Sequence, residues 1–364
     1  MTSACVNHTV YVYDRGGLTR IAEITDLTSV SWERVGDDIS FCDLVVNNPG
    51  AGCARVLEQM EPARHELVVY RGQNRVWEGP LTLMRYRRET VEIQARDVMH
   101  YAYRIAQTRP YDNRYPNVAT VVDRAYTQLV TELTRRESES PPINVVPFIT
   151  RVDQVGDART TRNTITYQKT VFDDVDDMAA NSGLDYTVVG RSIILHDTST
   201  ALGRLPTLTE NDVLGEIIVT VYGMEMATFA AVSGADGAYG IAGVGDDPYY
   251  GRWEIIDDAY DEEEGSDAPT QSELNEQAQR NVAARIPVPV EVRVPDGSQL
   301  SGVSPIKVED LVPGVQVPVR ATLTARTFSQ VQKLRKMKVT EDSNGERVQI
   351  TLAPTASVLV EEGA

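Results

Sequence analysis

Alternating hydrophobic and polar residues mark three strands in close succession within His65–Ala106. The first carries Leu67 and Val69 on one face, and the third alternates Val91 and Ile93 with polar side chains. A period of two is typical of strands that have one buried and one solvated face. The connections are short and polar, which favours local hairpins and therefore an antiparallel sheet. We expect this meander to form the centre of the first folded unit.

The pattern divides the chain into four parts and predicts a mainly β fold with α+β insertions. Residues 1–106 read as six or so short strands that close as a barrel or half-open sandwich. Residues 107–207 predict an α+β peripheral module. Strand patterning returns over 208–233 and 287–364, which we interpret as a second β-barrel domain, split by a smaller module at 234–286 that is rich in acidic and aromatic residues.

Within the second barrel, Glu216–Tyr222 predicts a buried strand, with 227–232 as its partner. The periodicity then stops, and the glycine-rich run at 234–245 lacks the Lys-Ser/Thr ending of a phosphate-binding loop. We interpret that run as a flexible surface excursion. The last feature is a hairpin that turns near Asn344 and Gly345.

Apolar stripes at helical spacing predict three further elements. The predicted helices are 117–133, 170–181 and one that begins at Thr270, where Glu273 completes a capping box.

Composition restricts the class of protein. The net charge is −18, with 35 Lys and Arg against 53 Asp and Glu, so we do not expect stable binding to DNA. The acidity is compatible with DNA sliding past without sticking, or with solubility alone. Three cysteines without a Cys-x-x-Cys pair favour neither a disulfide framework nor a zinc site. The sequence has no apolar run of about 20 residues and no Sec-type signal.

Motifs for catalysis are largely missing from the sequence. His65-Glu66 begins a zinc-protease motif, but Val69 stands where the second histidine is required. We therefore predict no metal, cofactor or catalytic residue. The acidic clusters at 173–177 and 257–264 are interpreted as a polar helix face and a solvated face. A hydrolase that uses paired carboxylates from such clusters stays an alternative.

The scarce large aromatics suggest one contact surface. Trp77 is expected to pack in the first sheet. Tyr249, Tyr250, Arg252 and Trp253 lie in the long loop region, and aromatics beside an arginine often anchor an interface. We predict partner binding at these four residues. A local mini-core beneath the loop is the alternative.

Taken in order, several short runs resemble minor tail proteins of actinobacterial siphophages. The runs that carry this resemblance are Trp32-Glu33-Arg34, Phe41-Cys42-Asp43-Leu44, the segments 66–71, 76–80 and 93–97, Leu208-Thr209-Glu210-Asn211-Asp212-Val213, Ala227-Thr228, Tyr249-Tyr250-Gly251-Arg252-Trp253-Glu254 and Leu311-Val312-Pro313-Gly314-Val315. Such proteins are similar to the tail-hub family, which includes the contractile-phage baseplate hub and the N-terminal part of tail-associated lysins.

The resemblance implies a homotrimer in which each subunit gives two related β-barrel hub domains to a pseudo-sixfold ring. Such a ring joins a sixfold tail tube to a threefold tip and gives DNA a passage during ejection. The implied partners are the distal tail protein ring, the tape-measure protein C-terminus and tail fibre or spike proteins. The expected location is the distal end of the virion tail, after synthesis in the bacterial host cytoplasm.

The chain ends soon after the last predicted hairpin, so we expect no lysin domain to follow. Two functions compete with the structural hub. A tail-borne cell-wall hydrolase would depend on Asp257 or Asp258. A receptor- or carbohydrate-binding module would use Tyr249, Tyr250 and Trp253 as a stacking platform.

Overall fold

The computed structural model is described for most of the chain. The described residues are 7–47, 56–106, 112–115, 150–154, 161–164, 169–182, 184–198, 200–234, 237–244, 250–258, 270–283, 285, 290–323, 326–354 and 359–361. The chain divides into two compact units. Unit 1 comprises Met1–Gly215, Pro295–Pro318 and Gln332–Ala353, and unit 2 comprises Glu216–Val294, Val319–Val331 and Pro354–Ala364.

The N-terminal part of unit 1 is an antiparallel meander. Its elements are β1 His8–Asp14, β2 Arg20–Ile24, β3 Leu27–Val35, β4 Phe41–Asn47, β5 His65–Arg71, β6 Asn74–Tyr86, β7 Thr90–Arg96 and α1 Met99–Tyr103. The predicted hairpins are confirmed, because β6 pairs antiparallel with both β5 and β7. Gly72, at φ 59°, supplies the left-handed conformation of the tight β5–β6 turn. Trp77 is buried in this sheet, as predicted.

The expectation of one wet face is wrong for β5. Leu67 and Val69 are buried on one face, but Glu66 and Val68 on the other face are buried as well. The reason is long-range, because Arg191 reaches Glu66 from a hairpin 125 residues further along the chain. Local alternation reports side-chain polarity, whereas burial depends on what covers each face.

The α+β elements of unit 1 follow. They are β8 Asp112–Tyr115, β9 Thr150–Gln154, β10 Thr161–Thr164, α2 Val171–Ser182, β11 Leu184–Val189 and β12 Ser192–Asp197. The predicted helix at 170–181 is confirmed. Thr170 and Asp173 cap its start reciprocally, since Thr170 N donates to Asp173 Oδ2 (2.9 Å) and Asp173 N donates to Thr170 Oγ1 (3.1 Å). The predicted helix at 117–133 lies outside the described residues.

The remaining strands and one helix complete the chain. They are β13 Val213–Leu214, β14 Ile218–Val221, β15 Phe229–Ser233, β16 Tyr239–Gly243, β17 Glu254–Asp258, α3 Gln271–Ala283, β18 Val290–Arg293, β19 Ser298–Leu300, β20 Gln316–Ala321, β21 Thr327–Asp342, β22 Gly345–Pro354 and β23 Leu359–Glu361. The predicted last hairpin is confirmed as β21 and β22, and its strands are longer than expected.

One large sheet dominates unit 1. The main path of its strands is hydrogen-bonded in the order β13-β19-β22-β21-β3-β4-β7-β6-β5-β1-β2, and β20 and β23 also pair with β21. The ladder between β3 and β21 runs antiparallel from Val35 opposite Lys336 to Val30 opposite Glu341. The fold is therefore mainly β with large antiparallel sheets, as predicted. Because β3 and β21 pair directly, strands from both predicted barrels belong to one sheet. The division into two barrels and the four domain boundaries stay predictions.

The predicted pairing of 216–222 with 227–232 in unit 2 is wrong. β14 pairs with β18, and β14 carries the exposed residues Ile218 and Val221 rather than a buried stripe. β15 instead pairs antiparallel with β16 and parallel with β17. The assignment of 234–245 to a flexible excursion is also wrong in part, because β16 lies there.

Candidate partner-binding surface

Helix α3 covers one face of the three-stranded sheet β16-β15-β17 in unit 2. Leu274, Ala278 and Val282 of the helix are buried against Ala230 and Val232 of β15. These three positions follow the predicted apolar stripe, so the helix prediction is confirmed together with its buried face. The sheet and the helix form a small core of their own.

Glycine on β16 lets the helix approach closely. A Cβ on Gly240 would lie 2.3 Å from the carbonyl carbon of Leu274, closer than real Cβ contacts. Two amides of α3 also bond to the backbone of β16. Gln271 Nε2 donates to the carbonyl oxygen of Tyr239 (2.8 Å), and Ile241 N donates to Asn275 Oδ1 (3.3 Å). The helix therefore fixes the position of this strand.

The opposite face of the same sheet carries exposed apolar side chains. Ala231 lies opposite Ile241 on one side and Ile256 on the other, so the three form a row across the strands. The exposed fractions are 51% for Ile241, 81% for Ile256 and 62% for Tyr239, which lies two residues before Ile241 on the same face. We call Tyr239, Ala231, Ile241 and Ile256 the open face.

Three of the four predicted contact residues come together where β17 begins, and Tyr249 lies outside the described residues. Trp253 is 55% exposed, yet its backbone is fixed by buried Thr228. Trp253 N donates to Thr228 Oγ1 (2.9 Å), and Thr228 N donates to the Trp253 carbonyl oxygen (2.9 Å). The indole Nε1 donates to the carbonyl oxygen of Tyr250 (2.9 Å). The indole thus presents its apolar rings to solvent while its polar atom is satisfied internally.

Arg252 connects this loop to the open-face side of the sheet. Its guanidinium lies 4.4 Å from the ring centroid of Phe229, which shares the face of Ala231. Its Nε also donates to Glu254 Oε1 at 2.5 Å. The cation is thus matched by a carboxylate two residues away, and the local charge is balanced.

The sequence analysis singled out Trp253 and its neighbours as candidates but not the open face. The missed signal is the sequence Tyr239-Gly240-Ile241-Ala242-Gly243, in which large residues alternate with small ones. The small side fits a closely packed helix, and the large side is left for solvent or a partner. Glycine content drew attention to flexibility instead of to a period of two.

The acidic clusters serve structural roles where they are described. Asp173 caps α2, and Asp176 Oδ1 accepts a hydrogen bond from Tyr186 (2.9 Å). Asp257 Oδ2 accepts one from Asn281 of α3 (3.0 Å). The side chain of Asp258 and residues 261–264 lie outside the described part. Across the described residues, no group of three or more His, Cys, Asp or Glu side chains is arranged to hold a metal ion.

A buried ionic cluster in unit 1 is the other concentration of charge. Glu66 accepts hydrogen bonds from Gly16 N (2.9 Å), Tyr101 OH (2.5 Å) and Arg191 Nη1 (2.7 Å). Arg191 also lies 3.5 Å from Glu78, and burial raises the pKa of Glu78 above its ordinary value. Because Arg191 lies in the turn between β11 and β12 and donates to Glu66 of β5, the cluster holds this hairpin to the first sheet.

The fold is similar to those of solved tail proteins. The 43 kDa tail protein of prophage MuSo2 from Shewanella oneidensis matches with a TM-score of 0.56 at 13% identity, over 95% of this chain and 98% of that one. A tail protein from Neisseria meningitidis MC58 matches with a TM-score of 0.53 at 13% identity, over 96% of each chain. Prophage tail protein gp18 from Listeria monocytogenes EGD-e matches with a TM-score of 0.51 at 8% identity, over 94% of each.

At these identities the likeness is one of fold. No protein-family model matches the sequence, and no curated protein matches it significantly. In the part of the chain that the structure describes, none of the helices has the length and apolar character needed to cross a membrane.

Proposed function

We propose that this chain is a structural hub protein at the distal tip of a long-tailed bacteriophage. Three copies form a ring that joins the sixfold tail tube to the threefold tip, and DNA passes through its opening during ejection. In this role the protein carries no catalytic activity. Its neighbours are the distal tail protein ring, the tape-measure protein C-terminus and tail fibre or spike proteins, and its source is a siphophage of an actinobacterial host.

The observation that carries the proposal is likeness over the whole length of the chain. Three tail proteins from different bacteria share the fold over 94–98% of both partners, at TM-scores of 0.51–0.56. A likeness that spans both units and the inserted elements supports a shared architecture rather than one shared domain. The net charge of −18 is compatible with such a passage, because an acidic protein attracts the phosphate backbone only weakly.

The partner-binding role of Tyr250, Arg252 and Trp253 is part of this proposal. Their rigid, exposed placement suits a protein contact, since the indole Nε1 is already bonded to Tyr250. Exposure of Trp253 also favours a second candidate, a receptor- or carbohydrate-binding surface, because sugars stack on exposed aromatic rings. Binding of the purified protein to host cell-wall glycan, lost on Trp253→Ala, would support that candidate over a purely structural contact.

Two measurements test the hub. Light scattering of the purified full-length chain should give three times the mass of one 40.2 kDa subunit. Gold-labelled antibody against the chain should bind the distal end of the virion tail. A chain that stays monomeric at all concentrations, or label that is found only on the capsid, would contradict the proposal.

A further inference from the structure

His196 lies near the end of β12, at the opposite end of the β11–β12 hairpin from Arg191. It is only 1% exposed, and neither of its ring nitrogens has a hydrogen-bond partner among the described residues. The ring packs against backbone, because a Cβ on Gly314 would lie 2.8 Å from His196 Nε2. Such a site accepts a neutral imidazole far better than an imidazolium, which carries a charge and two N–H donors.

The charged groups around His196 are already paired with one another. Asp185 lies opposite His196 in the ladder, but its Oδ2 is 3.8 Å from His196 Nε2, too far for a hydrogen bond. That oxygen accepts a hydrogen bond from Lys333 Nζ at 2.6 Å, and Arg335 Nη1 lies 3.4 Å from it. Burial and the Lys333 and Arg335 cations lower the pKa of His196 to about 4. The Asp185 and Asp197 carboxylates act in the opposite direction without reversing this.

The same residues attach the β11–β12 hairpin to β21. Lys333 of β21 donates to Asp185 of β11 and also to the carbonyl oxygen of Thr198, just after β12 (3.1 Å). Thr198 Oγ1 donates to Asp185 Oδ1 (3.0 Å), which closes the group. One buried lysine thus holds both strands of the hairpin. An imidazolium at His196 would place a second buried cation beside Lys333 and would compete with it for Asp185.

We propose that His196 makes the attachment of the β11–β12 hairpin to β21 sensitive to acid. While His196 is neutral, its ring fills the space against Gly314, and Lys333 keeps Asp185. When His196 takes up a proton, its buried charge has no carboxylate of its own, and the hairpin opens from β21. Because β11 and β12 belong to a separate three-stranded sheet with β9, this opening leaves the ladders of the large sheet paired.

The direction of the effect follows from proton linkage. In the open hairpin His196 has its ordinary pKa of about 6.5, so the open form takes up the proton before the attached form does. Opening is therefore favoured as the pH falls from about 6.5 towards about 4. Burial raises the pKa of Asp37 and of Glu78, which face β11 and Arg191, and acid strengthens the attachment through these two groups. A variant that lacks only His196 separates the opposing contributions.

Hydrogen exchange of the β11 and β12 amides in the full-length chain measures this opening at pH 7 and pH 5, after correction for the intrinsic exchange rates. Given a pKa of about 4 when attached and about 6.5 when open, the opening constant should rise about twentyfold more in the unaltered chain than in His196→Gln. His196→Phe keeps a ring without titrating and serves as a second variant. His65→Gln is the matched control, because His65 is also buried but lies at the start of β5, and it should keep the full rise.

Each outcome decides the proposal. A rise that is lost in the His196 variants and kept in His65→Gln supports it. A rise of the same size in the unaltered chain and in the His196 variants overturns it. Equal loss in His65→Gln also overturns it, because the effect would then belong to unfolding of the whole chain. The unaltered chain alone gives a further check, since an opening constant that stays level or falls towards pH 5 overturns the proposal without any variant.

Discussion

The β5–β6 region of unit 1 and the β15–β17 sheet of unit 2 depart from ordinary patterning in opposite ways. On β5, Glu66 is fully buried and is held by Arg191, although its sequence position suggests a solvated face. On β17, Ile256 is 81% exposed although it is apolar. The first strand is covered by a distant part of the same chain, whereas Ile256 on the second strand stays exposed in the single chain. Burial of a sheet face thus depends on what packs against it and not on the pattern of the strand alone.

The largest loss of stability should come from a substitution where the backbones of β6 and β7 approach closely. A Cβ on Gly79 would lie 1.8 Å from the carbonyl oxygen of Arg96. Because two backbones must separate, Gly79→Ala should lower the free energy of unfolding by at least about 4 kcal/mol. Gly302→Ala is the control, since a Cβ on Gly302 would meet nothing within 4 Å. Denaturant unfolding measures both, and equal midpoints would refute the described packing.

Breaking the buried ion cluster should come next. Arg191→Met leaves the fully buried Glu66 without its cation, which should cost about 3–4 kcal/mol. The control is Arg20→Met, because the Arg20–Glu23 pair is exposed on both sides and should contribute less than about 1 kcal/mol. Urea unfolding of the two variants checks the difference. Similar small losses would mean that the β11–β12 hairpin is not held to β5 by this charge.

The two faces of the unit 2 sheet should respond unequally. Leu274 is fully buried beneath the sheet, so Leu274→Ala should destabilise unit 2 by about 3 kcal/mol. Ile256→Ala on the open face should change the stability of the monomer by less than about 0.5 kcal/mol. Hydrogen exchange of the backbone amides of β15 and β16 follows the stability of this unit. A large monomer effect of Ile256→Ala would show that the open face is covered within the chain itself.

A smaller effect should appear as a pH dependence of the stability of unit 1, through Asp97, which follows β7. Burial raises the pKa of Asp97 to about 6, although Ser40 and Met99 donate hydrogen bonds to it. Because the folded protein binds this proton more tightly than the unfolded chain, the contribution to stability is complete below about pH 4. It is lost as the pH rises through 6, and the loss amounts to about 2–3 kcal/mol.

The measurement is the difference in unfolding free energy between the unaltered chain and Asp97→Asn from pH 4 to 8. Taking the difference removes contributions from other carboxyl groups, such as Asp185, whose pKa is lowered despite its burial because it pairs with Lys333. The free energy of unfolding of the unaltered chain minus that of Asp97→Asn should fall between pH 4 and 8. If this value rises with pH instead, the raised pKa of Asp97 is contradicted.

Local pattern predicted the local elements of this fold. The alternation at Val91 and Ile93, the apolar spacing within 170–181, and the stripe through Leu274 each determine a strand or helix from neighbouring residues alone. These elements form as expected because the interactions that define them are close in sequence.

What could not be predicted depends on distant partners. The burial of Glu66 requires Arg191, and the burial of Ala230 and Val232 requires α3 to cover that face of the sheet. For the contact surface, Trp253 stands out because tryptophan is rare, whereas Ile241 and Ile256 look like ordinary core residues until the sheet is assembled. Whether an apolar residue meets the core or a partner is not encoded in its own neighbourhood.

Assembly around an opening is the central claim, and electron microscopy of the purified full-length protein tests it directly. We expect averaged views of a threefold annulus with a central hole. Compact particles of single-chain size without an opening would contradict it.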